Sequence, residues 1–139
     1  MLQDFGATLE DEKTAPLLVA AWLHDALEDT ELELQTIRGE FGSAIAEIVW
    51  RVTDEAGGNR KERKAATYKK TKESLAAVTV KLADRIANVT ASKNSNSKLF
   101  AMYAKEQPEF YQALYEKSDN GLINRLWQQL NSYFDAQTK

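Results

Sequence analysis

Residues 16–28 constrain this chain more than any other stretch. Leu17, Leu18, Val19, Ala20, Ala21, Trp22, Leu23, Ala26 and Leu27 leave almost no polar face, and four polar groups, His24, Asp25, Glu28 and Asp29, then arrive together at the end of the run. The run is too long for a typical strand and reads as a helix at the centre of a domain. At 3.6 residues per turn, His24 stands beside Glu28 and Asp25 beside Asp29. Three carboxylates and an imidazole at the end of an apolar helix are unfavourable to bury unless a cation, hydrogen bonds or water compensates them, and a divalent metal compensates all four at once. The plainer alternative is a helix that surfaces at Leu23, with His24 half-buried and Glu28 and Asp29 in water.

The rest of the chain narrows the options by exclusion. With 139 residues, 43% of them hydrophobic and 28% charged, a single folded domain over residues 1–139 is expected. There is no cysteine, so disulfides, thiolate zinc sites and thiol nucleophiles are ruled out and metal chemistry falls to histidine and carboxylates. His24 is the one histidine, which excludes a histidine-rich centre. No apolar run approaches the ~20 residues that span a bilayer, and residues 1–4 lack the basic start of a secretory signal. The expected location is therefore the cytoplasm, with no membrane partner. A net charge of −3 gives no whole-surface attraction to nucleic acid, so any anion is held locally.

Glycine and proline are sparse and fall where apolar periodicity breaks, which predicts helices joined by short turns. Leu34, Ile37 and Phe41 recur at helical spacing before Gly42, and Ser43 is placed to cap a helix whose core face is Ile45, Ile48, Val49 and Val52. Residues 54–59 read as a loop. Residues 60–72, RKERKAATYKKTK, carry seven lysines and arginines against one glutamate; they form either a solvated helix face or, through Arg60, Lys61, Arg63, Lys64 and Lys69, a surface that steers a polyanion. Leu75 to Ala91 resumes helical periodicity, although Val78, Thr79 and Val80 leave a short strand open. Residues 94–97 are a polar break, Pro108 fits a first helical turn, and Gly121 precedes a last amphipathic helix with Ile123, Leu126, Trp127, Leu130, Tyr133 and Phe134. The reading with the fewest conflicts is an all-helical bundle.

A second cluster lies in Lys81-Leu82-Ala83-Asp84-Arg85-Ile86-Ala87-Asn88, where Asp84 and Asn88 are one turn apart on a face distinct from Leu82, Ile86 and Val89. Alone it reads as a surface ion pair. Together, AAWLHDALEDT at 20–30, FG at 41–42, VTD at 52–54, KERKAATY, VKLADRIAN at 80–88 and MYAKEQPEF resemble the HD-domain phosphohydrolases, and more narrowly the RelA/SpoT-like small (p)ppGpp hydrolases. The resemblance covers nearly the whole chain and implies an all-α HD-domain helical bundle. It implies His24, Asp25 and Asp84 as metal ligands, usually for Mn²⁺ with other divalent cations possible, and Glu28 and Asp29 as the dyad that positions and activates water. It places Asn88 on the ribose and Lys81 and Arg85 beside the site; the basic segment then supplies Arg63 and Lys64 as expected nucleotide contacts by charge, and Tyr68 either stacks on a base or, the favoured reading, packs. The family's metal site has a further histidine on a helix preceding the HD helix; no histidine precedes His24 here, so the expected domain lacks that first helix and is N-terminally incomplete relative to the family.

The implied activity is a metal-dependent nucleotide pyrophosphohydrolase that removes the 3′-diphosphate of (p)ppGpp, since a bound cation lowers the pKa of water and a carboxylate accepts its proton. The alternatives are hydrolysis of a different nucleotide phosphate on the same site, and a catalytically impaired HD-fold binding module. A nucleic-acid binder built on residues 60–72 fits the acidic balance least. The residues do not specify an oligomeric state.

Overall fold

The computed structural model describes residues 15–29, 34–55, 58–118 and 120–135, with the side chains of residues 24–29 and 135 outside the described set. Seven helices account for the described regular structure, and among the described residues there is no strand: α1 (Ala15–Asp29), α2 (Leu34–Phe41), α3 (Ser43–Val52), α4 (Arg60–Lys72), α5 (Leu75–Ser95), α6 (Ser97–Leu114) and α7 (Gly121–Asp135). Val78, Thr79 and Val80 are helical, because the turns around them bury apolar residues on every side. No helix among the described residues is long and apolar enough to cross a membrane.

The centre of the molecule is α5, which packs against α1, α3, α4, α6 and α7. Its first turns are buried almost all round, through Ala77, Val78, Val80, Leu82, Ala83, Ile86 and Val89. The sequence places the central position on residues 16–28 instead. In α1, Leu17, Leu18 and Ala20 are buried, but Trp22 is 54% exposed. The reason is that Lys81 and Arg85 mark α5 as a surface helix by composition, whereas both side chains are buried with internal partners.

Three boundaries also differ from expectation. Ser43 is the first helical residue of α3, and the capping position belongs to Gly42, at φ 93° with no side-chain cap. Glycine adopts this conformation without the steric penalty of a Cβ, so Gly42 can donate its N–H to the Arg38 carbonyl and accept from Ala46 N–H in a one-residue joint. The polar stretch 94–97 breaks at Asn96 alone, which ends α5 and caps α6 by accepting from Leu99 N–H at 3.1 Å. Pro108 lies inside α6 rather than in a first turn. The lost hydrogen bond is outweighed by the face that the continuous helix buries, with Phe100, Tyr103, Gln107, Phe110 and Leu114 turned inward.

Candidate functional site

Helix α1 carries the His24, Asp25, Glu28 and Asp29 positions and packs directly on α5, which carries Asp84. The four side chains of α1 lie outside the described residues. Asp84 is half-buried, and among the described residues its one hydrogen bond is a long contact of 3.4 Å from Asn88 Nδ2. Asn88 is exposed one turn on. Among the described residues the Asp84 carboxylate has no other hydrogen-bond partner. No group of three potential metal ligands occurs among the described residues; of the expected set His24, Asp25 and Asp84, the first two have side chains outside them. Asp84 suits a cation: it is an oxygen donor with no ion pair among the described residues.

Lys81 and Arg85 form the neighbouring stripe of α5, rotated by about 60° from the Asp84–Asn88 stripe by the 100° per residue of a helix. Both point into the protein. Lys81 is 4% exposed, donates to the Val52 carbonyl at 3.3 Å and pairs with Asp54 at 3.6 Å. Asp54 also accepts from Lys64 Nζ at 2.9 and 3.0 Å, so the VTD turn ties α3, α4 and α5 together. Burial, reinforced by nearby Lys64, holds the Lys81 ammonium below its usual range despite Asp54.

Arg85 is 5% exposed. It donates to Glu106 Oε1 at 3.0 Å and to the Tyr68 hydroxyl at 2.7 Å, and its guanidinium lies over the rings of Tyr103 and Phe110 at 4.9 and 4.5 Å. Tyr68 is buried and meets Phe110 edge-on. Burial raises its phenol pKa, with Arg85 pulling the other way. Glu106 is shared: Arg60 Nε donates to Oε2 at 2.8 Å and Nη2 to Oε1 at 3.3 Å. The sequence pattern alone gives Glu106 and Asp54 no site role. Their partners sit 21 and 46 residues away for Glu106 and 10 residues away for Asp54, and no local spacing announces such pairs.

Between α4 and α6 runs a cleft of about 430 Å³ lined by Arg60, Lys61, Lys64, Tyr68, Lys105, Glu106 and Glu109. It continues past Tyr68 and Glu109 into a second recess of about 400 Å³ beside Lys69 and Lys72. Four cations face two carboxylates in the first part, in a chain that is acidic as a whole, so an anion is favoured locally. Lys64 and Tyr68 thus lie on one wall, Lys81 and Arg85 lie behind it, and Asp84 and Asn88 are on the half-exposed face of α5. Arg63 is half-buried and does not line the cleft.

Two of these pairs make stability depend on pH. Burial pushes the Asp54 and Glu106 carboxyls up, but hydrogen bonds and charge from Lys64 and Lys81, and from Arg60 and Arg85, outweigh it and hold both below their ordinary values of 3.8 and 4.5. The folded state then binds fewer protons than the unfolded chain across this interval, so the stabilisation is whole above those values and is lost as pH falls through the lowered ones. The urea midpoint is expected to drop steadily from about pH 5 toward pH 3, and Glu106→Gln should flatten that drop. An equal acid slope in the variant would show that the shared carboxylate is not a source of it.

The sequence model of the HD domain family matches residues 5–119. The guanosine-3′,5′-bis(diphosphate) 3′-pyrophosphohydrolase of Aquifex aeolicus (strain VF5) is 34% identical over 101 residues, 70% of this chain and 14% of that protein. The guanosine-3′,5′-bis(diphosphate) 3′-pyrophosphohydrolase MESH1 of Drosophila melanogaster is 35% identical over 74 residues, 52% of this chain and 41% of that protein. The chain thus spans less than half the length of these relatives. The crystal structure of lmo0812 from Listeria monocytogenes EGD-e superposes with a TM-score of 0.71 at 22% identity, over 96% of this chain and 90% of that one, a likeness of fold. An all-helical bundle with its HD and ED positions on α1 and its aspartate on the adjacent α5, matched by the family's sequence model over most of its length, belongs to the HD domain family.

Proposed function

We propose that this chain is a metal-dependent nucleotide pyrophosphohydrolase that removes the 3′-diphosphate of (p)ppGpp. The observation that carries the reading is the packing of α1, with its HD and ED positions, directly against the helix that carries Asp84, whose carboxylate has one long hydrogen bond among the described residues. The names of the Aquifex and Drosophila relatives supply the substrate class. A divalent cation, Mn²⁺ by the family resemblance, held by His24, Asp25 and Asp84 would polarise a phosphoryl oxygen and lower the pKa of water. Glu28 or Asp29 accepts the proton as the water oxygen bonds to phosphorus, the bond from phosphorus to the ribose 3′ oxygen breaks, and that oxygen leaves with a proton as pyrophosphate is released. Asn88, exposed one turn from Asp84, would hydrogen-bond the ribose, as the family resemblance implies, and the lysines of the cleft would neutralise phosphate charge that otherwise opposes binding.

The test is Mn²⁺ titration by calorimetry together with pyrophosphate release from ppGpp on the same protein. Saturable binding with release of pyrophosphate is expected. Turnover of other nucleotide phosphates but not ppGpp would move the reading to a different substrate, and no metal binding would overturn it in favour of a non-catalytic HD-fold module.

A further inference from the structure

The wall of the α4–α6 cleft has an unusual construction: the carboxylate of Glu106 is shared by two guanidinium groups of very different exposure. Arg85 is sealed in the core and spends its remaining contacts on Tyr68, Tyr103 and Phe110. Arg60 has a side chain 38% exposed and lines the cleft. Arg60 gives Nε and Nη2 to Glu106, and among the described residues its Nη1 has no partner. A guanidinium held side-on by a carboxylate is fixed in plane and direction, which a long free side chain is not, and less rotamer entropy then remains to be lost when an anion arrives. The three groups together keep one positive charge, so Glu106 orients Arg60 without cancelling the attraction of the cleft for phosphate.

We propose that Glu106 is a positioning residue of the nucleotide cleft, acting through Arg60: it sets the guanidinium at the cleft wall so that the free edge meets a phosphate of the substrate. Arg85 anchors Glu106 from behind and, through the Tyr68 hydroxyl, fixes the neighbouring part of the same wall. The proposal rests on the nucleotide reading of the cleft, and it assigns Glu106 to binding and not to the bond-breaking step.

A double-mutant cycle on the full chain tests it. Glu106→Gln keeps the shape and an acceptor but removes the charge, and is expected to raise KM for ppGpp about tenfold with kcat within about twofold. In an Arg60→Ala background the same change should have no further effect on KM, because the residue through which Glu106 acts is gone. Additive effects in the cycle, a loss confined to kcat, or an unchanged KM would each overturn the proposal, since a merely structural carboxylate would act equally in both backgrounds. Glu106→Asp, which keeps the charge on a shorter stem, runs the same cycle if the glutamine variant does not fold. Should the wild-type protein bind ppGpp in calorimetry without hydrolysing it, the cycle is read on Kd, so the inference stands or falls separately from the pyrophosphohydrolase reading. Absence of both binding and hydrolysis would refute the two together.

Discussion

Asp84→Ala is expected to abolish hydrolysis, with kcat/KM down by at least about a thousandfold, while stability changes by no more than about 0.5 kcal/mol. The asymmetry follows from where the side chain sits. Its carboxylate is half-buried and holds one weak contact with Asn88, so little structure depends on it, and alanine is the better helix former at a position deep inside α5. If the carboxylate serves as a metal ligand, however, its nearest charged neighbours on α5 do not replace it: Lys81 and Arg85 are cations on the adjacent, buried stripe. Calorimetry with Mn²⁺, pyrophosphate release and a thermal melt on one preparation separate the possibilities. Glu28→Gln is the matching control, expected to leave the metal bound and slow hydrolysis by about a hundredfold. Full activity in Asp84→Ala would remove the residue from the site, and loss of activity with an equal loss of fold would make its role structural.

The same comparison shows which parts of the molecule were legible in the sequence. The helices are legible because glycine, proline and Asn-Ser breaks separate stretches of 3.6-residue periodicity, and the half-exposed face that Asp84 shares with Asn88 is legible because it stands apart from buried Leu82, Ile86 and Val89. The centre of the fold was not. Hydropathy ranks the apolar α1 above α5, yet a buried lysine and arginine are compatible with the core when Asp54, Val52, Glu106 and Tyr68 receive their protons. Pairing across 17 to 29 residues leaves no local pattern to read. The basic segment was legible as a patch but not as a division of labour: Arg60, Lys64 and Lys70 are tied to Glu106, Asp54 and Glu55, whereas Lys61, Lys69 and Lys72 are exposed. Glu106 is illegible for the same reason, since one glutamate in MYAKEQPEF acquires meaning only when α4, α5 and α6 are brought together.

Arg85 is the residue for which the two kinds of reading differ most in what they predict. The family resemblance sets it beside the nucleotide, while the structure surrounds it with Glu106, Tyr68, Tyr103 and Phe110 at 5% exposure. Arg85→Ala removes a buried charge from a shared carboxylate, strips the Tyr68 hydroxyl of its donor and opens a gap over two rings. The expected loss is about 3 kcal/mol, because a buried pair broken at one partner leaves the other groups uncompensated. Arg60 at the outer end of the same pair should behave differently: Arg60→Ala, at a site 38% exposed, is expected to lose less than about 1 kcal/mol. Arg85→Met, which refills the volume over Phe110 without the charge, should recover part of the loss, since hydrophobic replacement of a buried ion is often tolerated. Urea unfolding of the three variants at neutral pH gives the ranking. A small loss in Arg85→Ala would show that the buried pair contributes little to the fold, and a raised KM beside it would fit either loss of the anchor behind Glu106 and Arg60 or a direct contact with the nucleotide. A large loss in stability would assign Arg85 to holding α4, α5 and α6 in register behind the cleft.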